Sequence, residues 1–223
     1  MQQKRLRVVV LASGRGSNFA ALLAAQQRGE LPIDIRALLS DKATAPALDI
    51  ARDAGIDAIA LRPRDHADRA AFDQALFARV VDFHPDLVVL AGYMRVIDAA
   101  VVDAWRGRMI NIHPSLLPQY PGLHTHQRAL DANDVMHGAS VHFVTAELDG
   151  GPVIAQAQLP ILAGDNADSL AARLLPLEHR LLIVTVKLLA QGKIALQGNR
   201  VACDDQILAA PLLLDESGSL KQR

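Results

Sequence analysis

An asparagine and a histidine two residues apart, Asn111 and His113, stand at the end of a short apolar run, Met-Ile-Asn-Ile. In an extended chain such a pair points to one side. An amide and an imidazole aimed together at the mouth of a sheet can orient a substrate and move protons. Pro114, Pro118 and Pro121 stiffen the connection that follows. Locally, the same residues also fit a histidine that caps a strand and an asparagine that satisfies a turn. Asp149, just ahead of Gly150, Gly151 and Pro152, is by position an ordinary turn residue. As a carboxylate in reach of His113 it would be a third member of the group. His124 and His126 sit at i, i+2, so on a helix they face different ways. No H-E-x-x-H accompanies them, and no metal is expected.

A second stretch able to do chemistry lies near the start. An aliphatic run over residues 6–12 ends in Ser13-Gly14-Arg15-Gly16-Ser17-Asn18, and apolar residues at helical spacing follow as far as Gly29. Strand, glycine turn and helix in that order leave free amides at a helix start, where a phosphate can bind. Gly14 and Gly16 permit the tight turn, and Ser17 or Asn18 can cap the helix. The pattern is neither G-x-G-x-x-G, since Phe19 stands where a third glycine would, nor a Walker A loop, since the lysine is absent. Three readings stay open here: a phosphate site, a dinucleotide site with Asp41 meeting a ribose, or a purely structural turn.

The elements that must position these residues read as α/β. Strands are predicted at residues 33–39, 56–61, 86–91 and 109–112, separated by helices over 45–54, 69–83 and 99–105. Their uninterrupted apolar character marks a mostly parallel twisted sheet flanked by helices and covered on both faces. Met94, Arg95, Val96 and Ile97 leave the carboxyl end of the fourth strand, where open parallel sheets place their ligands. They either line a flat aromatic pocket or pack on the next helix. Residues 138–145 and 153–159 alternate around a tight turn and predict an antiparallel hairpin. A long helix follows, capped at Asn166 or Asp168 and kinked or split at Pro176. A small hairpin surrounds Gly198-Asn199. One domain over residues 1–203 is expected, with a partly disordered tail over 204–223.

Composition narrows the function. A single cysteine, Cys203, rules out an internal disulfide framework and a cysteine-based zinc site. A net charge of -1 without a basic run argues against nucleic acid as the main ligand. No uninterrupted apolar stretch is long enough to span a bilayer, and a cytoplasmic protein is expected.

Four blocks taken together resemble the folate-dependent phosphoribosylglycinamide formyltransferase family: VVVLASGRGSNFAALL, LAGYMRVI, NIHPSLLPQYPGLHTHQRAL and HGASVHFVTAELDGGPVIAQA. NIHPSLLP alone is shared with the wider formyltransferase superfamily; joined to the glycine turn and the D-G-G-P block it is specific. The resemblance covers residues 6–192. It implies a Rossmann-like N-terminal half, an antiparallel strand near the C-terminal half, and formyl transfer from 10-formyltetrahydrofolate to glycinamide ribonucleotide, by a monomer or homodimer and without a metal. It implies Asn111, His113 and Asp149 as the catalytic trio; as a mechanism, a protonated His113 and the Asn111 amide would stabilise the oxyanion of a tetrahedral intermediate. It implies Gly16, Ser17 and Asn18 at the ribonucleotide phosphate, and Glu178 with Leu175, Pro176 and Leu177 at the rest of that substrate. It implies folate contacts at Arg69, Met94, Arg95, Val96, Ile97, Asn111, Thr145, Ala146, Glu147, Leu148 and Asp149. The chain departs from the familiar pattern at Leu177 and Ala139, neither of which carries chemistry. Rival expectations are a formyltetrahydrofolate hydrolase, a methionyl-tRNA formyltransferase, both of which carry an extra domain in their families, or a non-catalytic nucleotide-binding module.

Overall fold

The computed structural model describes residues 5–222. Within them the chain divides into two compact units, the first ending at Asn111 and the second beginning at Ile112. The boundary falls inside a strand.

The first unit alternates strands and helices: β1 (Leu6–Leu11), α1 (Ser17–Gln27), β2 (Ile33–Ser40), α2 (Pro46–Asp53), β3 (Asp57–Ala60), α3 (Arg69–Asp82), β4 (Leu87–Leu90), α4 (Ala99–Ala104) and β5 (Met109–His113), which crosses the boundary. Its strands lie in the order β3-β2-β1-β4-β5, and every neighbouring pair is parallel. Val8, Val9, Val10, Val88 and Val89 are fully buried, as strands covered on both faces require. The chain order reverses between β1 and β4. The glycine turn after β1 and the loop after β4 therefore flank the switch point where such sheets bind ligands.

The second unit holds α5 (Thr125–Asp131), β6 (Met136–Phe143), β7 (Val153–Pro160), α6 (Ala167–Ala190), β8 (Ile194–Gln197), β9 (Arg200–Cys203), β10 (Gln206–Ile207), β11 (Leu212–Leu214) and β12 (Leu220–Lys221). Strands β6 and β7 form the predicted antiparallel hairpin, with a register shift between Val141 and His142. Strands β8 and β9 form the small hairpin around Gly198 and Asn199. The α/β class, the parallel N-terminal sheet and the antiparallel strands further on are as predicted.

Two expectations are corrected. Helix α6 is one continuous element from Ala167 to Ala190, so of the two expected outcomes at Pro176 the split does not occur. Proline costs it one hydrogen bond, to the Ala172 carbonyl. Both residues are exposed, so water can satisfy that oxygen, while buried Leu170, Leu174, Leu181 and Leu182 hold the helix on either side. The segment after residue 203 is not an unstructured tail through residue 221. Strand β11 adds to β7 in parallel, β12 adds to β11, and Leu212 is buried. Three leucines in a row are too few to show a period, and pairing with the open edge of β7 supplies what the pattern lacks.

Candidate active site

His113 is the last residue of β5, buried, with Asn111 two residues before it on the same strand. Its Nε2 lies 2.9 Å from the Tyr120 carbonyl. A carbonyl only accepts, so Nε2 carries a proton and donates it there. Its Nδ1 is 3.4 Å from Oδ2 of Asp149. Burial pushes His113 below the ordinary histidine value, and the pull of the Tyr120 carbonyl and the Asp149 charge offsets this only in part. At neutral pH the resting imidazole is therefore neutral.

Asp149 sits in the turn between β6 and β7 with a left-handed backbone, φ 51°, a conformation that concentrates at functional positions in non-glycine residues. Its Oδ2 accepts the Gly122 amide at 2.8 Å, and its Oδ1 faces Nε2 of His142 at 3.6 Å. His142 is oriented by its other nitrogen, Nδ1, 2.9 Å from the Phe143 carbonyl. Burial alone would raise the Asp149 carboxyl. The His142 imidazole, the Gly122 amide and, at the acid pH where the carboxyl titrates, the protonated His113 ring outweigh it and hold the group below the usual carboxylate range. Gly151 is dictated by close approach: a Cβ there would lie 1.8 Å from the Phe143 carbonyl oxygen.

The proline-rich loop between β5 and α5 is held by buried side chains of the hairpin. Ser140 Oγ accepts the Leu117 amide at 3.0 Å and donates to the Ser115 carbonyl at 2.7 Å. The Gln156 amide donates to the Leu117 carbonyl at 2.9 Å. The loop that carries the Tyr120 carbonyl and the Gly122 amide is thus anchored at Ser115 and Leu117 from β6 and β7.

In the first unit, Gly16 precedes α1 with φ 78°, and no side chain caps the helix. The predicted capping by Ser17 or Asn18 does not occur, because both already lie inside the first turn. A Cβ at Gly16 would stand 2.6 Å from that of Ala47, so this position needs glycine twice over. Asp41 accepts the Ser13 hydroxyl through Oδ1 at 2.6 Å. In the loop after β4, Met94 and Val96 are exposed, Ile97 is buried and Arg95 lies against the Phe72 ring. Arg69 opens α3 and is exposed, as are Ala146, Glu147 and Leu148. Thr145, Leu175 and Leu177 are half-buried, Pro176 is exposed and Glu178 is buried on α6.

Among the described residues no group of three or more His, Cys, Asp or Glu side chains is placed to hold a metal ion. His126 pairs with His137, Nδ1 to Nε2 at 2.9 Å, instead of with His124.

A family model for formyl transferases matches residues 6–186. Over 203 residues, 91% of this chain and 96% of the relative, the sequence is 45% identical to the phosphoribosylglycinamide formyltransferase of Escherichia coli strain K12. The chain belongs to the phosphoribosylglycinamide formyltransferases. The solved structure of the Coxiella burnetii phosphoribosylglycinamide formyltransferase superposes with a TM-score of 0.89 at 42% identity, over 92% of this chain and 96% of that one. A formyltetrahydrofolate deformylase from Pseudomonas putida shares the fold more distantly, with a TM-score of 0.80 at 27% identity, and this chain covers 71% of it. Within this formyltransferase, the site contacts that the sequence does not reveal are His142, Ser13, the Tyr120 carbonyl and the Gly122 amide. Two of these are backbone groups without a side-chain signature, and the only signal for His142 is its alternation with Ser140 on β6.

Proposed function

We infer that this chain transfers a formyl group from 10-formyltetrahydrofolate to the amine of glycinamide ribonucleotide, in purine biosynthesis. The observation that carries the reading is the buried pairing of His113 with an Asp149 that is itself held ionised. The ribonucleotide phosphate meets Gly16, Ser17 and Asn18 at the start of α1, where a helix start favours an anion, and Glu178 with residues 175–177 meets the remainder of that substrate. Folate lies against Arg69, Met94 to Ile97 and Thr145 to Asp149.

Attack by the amine forms a C–N bond to the formyl carbon and leaves negative charge on the carbonyl oxygen. His113 Nε2–H then exchanges the Tyr120 carbonyl for this oxyanion, and the Asn111 amide is the second donor. Neutral imidazole already carries the needed proton, so no protonation step has to precede binding. As the intermediate collapses, the bond from the formyl carbon to the folate nitrogen breaks. The proton shed by the attacking amine reaches that nitrogen through Asp149, directly or by way of water. A carboxylate kept below its usual range stays ionised and attracts that proton, but as a weak base it passes the proton on instead of keeping it. We also assign the protein to the cytoplasm, consistent with its lone cysteine.

The test is purified protein with both substrates, followed by the absorbance change of folate deformylation. Turnover that requires the ribonucleotide is expected. Formyl loss at the same rate without it would make the chain a hydrolase, and no turnover under any condition would leave a binding module.

A further inference from the structure

Ser13 begins the glycine turn, yet its contacts run to the loop after β4. Its backbone N–H donates to the Gly92 carbonyl at 3.0 Å, and its Oγ accepts the Met94 amide at 2.9 Å. The same Oγ donates its only proton to Asp41 Oδ1 at 2.6 Å, and both side chains are buried. A hydroxyl has one proton and two lone pairs. With the proton drawn to a carboxylate, the lone pairs are left for the Met94 amide. Asp41 thus fixes the rotor of Ser13, and Ser13 fixes the backbone at residues 92 and 94.

The loop so held has an unusual surface. Met94 is 62% exposed and Val96 42% exposed, while the backbone beneath them is anchored by buried polar groups. At its far end, the buried carboxylate of Asp73 accepts the Asp98 amide at 2.8 Å. Apolar side chains offered outward from a backbone pinned at both ends form a rigid platform for a flat ligand. Pre-setting such a platform lowers the ordering cost of binding.

We propose that Ser13 and Asp41 are positioning residues for the folate site: Asp41 orients the Ser13 hydroxyl, which holds the Met94 amide and keeps residues 94–97 in the shape that receives the folate ring. The same serine ties the phosphate turn to this loop. The proposal rests on the reading that residues 94–97 contact folate.

The experiment measures KM for 10-formyltetrahydrofolate and for glycinamide ribonucleotide, together with kcat, in Asp41→Ala, Asp41→Asn and Ser13→Ala. Asn keeps the Oδ1 acceptor; Ala removes it. Asp41→Ala is expected to raise the folate KM about tenfold, the worth of one buried hydrogen bond, with the ribonucleotide KM within about twofold of the parent. Asp41→Asn is expected to recover most of the loss. Amide hydrogen exchange of residues 92–98 should quicken in Ser13→Ala while β1 and β4 stay protected, a readout that stands even if Asp41→Ala folds poorly. An unchanged folate KM in both alanine variants, or equal losses for the two substrates, overturns the proposal. Val96→Asp separates the two layers. If it raises the folate KM while the Ser13 and Asp41 variants do not, only the positioning role falls. If it too has no effect, the folate reading of the loop falls with it.

Discussion

The His113 imidazole lies between two acceptors, the Tyr120 carbonyl and the Asp149 carboxylate, in a pocket whose burial still favours its neutral form. Removing the Asp149 charge takes away part of what supports the imidazolium. An Asp149→Asn variant should therefore show a His113 pKa lower still than in the parent, read by NMR titration of the ring. A rise would mean that the carboxylate does not act on this histidine. In catalysis, His113→Ala removes one oxyanion donor and is expected to lower kcat by about 100 to 1,000-fold. Circular dichroism and thermal unfolding should show that the fold survives. A turnover near that of the parent would exclude His113 from the role assigned to it.

At the scale of single elements, two helix starts do different work. Helix α6 has a capping box, in which the Asn166 side chain accepts the Ser169 amide and the Ser169 hydroxyl accepts the Asn166 amide. Asn166→Ala should cost about 1 kcal/mol in urea unfolding and leave turnover unchanged. Helix α1 has no side-chain cap at Gly16. Gly16→Ala places a side chain on a left-handed backbone, at about 1–2 kcal/mol for the backbone alone, and against Ala47. Its ribonucleotide KM should rise by more than its folate KM. Equal effects on both substrates would argue that the turn is only structural.

Across the molecule, buried histidines set the response to acid. His113, His126 and His137 all lie below the ordinary histidine value, each chiefly through burial, and His137 is lowered to about 4. In the unfolded chain each binds a proton near pH 6.5. Below that pH the unfolded state holds more protons than the folded state, so stability falls as pH drops from about 6.5 toward 4 and is retained above it. The urea midpoint should therefore decrease between pH 7.5 and 5, and less steeply in His137→Gln. A midpoint independent of pH over that range would contradict the buried neutral state of these rings.

The apolar runs of β1, β2 and β4, the glycine turn and the hairpin around Asp149 are legible in the sequence, because burial on both faces, left-handed backbone and alternation each leave a local pattern. So are Asn111 and His113 as a pair, since period two is built into any strand. Local pattern reaches no further. That Asp149 meets His113, that His142 stands behind it, and that Asp41 bonds Ser13 depend on residues 7 to 36 positions apart being folded together. The short strand β11 is invisible for the same reason, since its stability resides in pairing with β7. The sequence by itself determined which residue types could perform the chemistry and on which elements they stand. Tertiary structure alone decided which of them touch, and with that the protonation state of His113, because burial and neighbouring charge are properties of the packed chain and not of any segment of it.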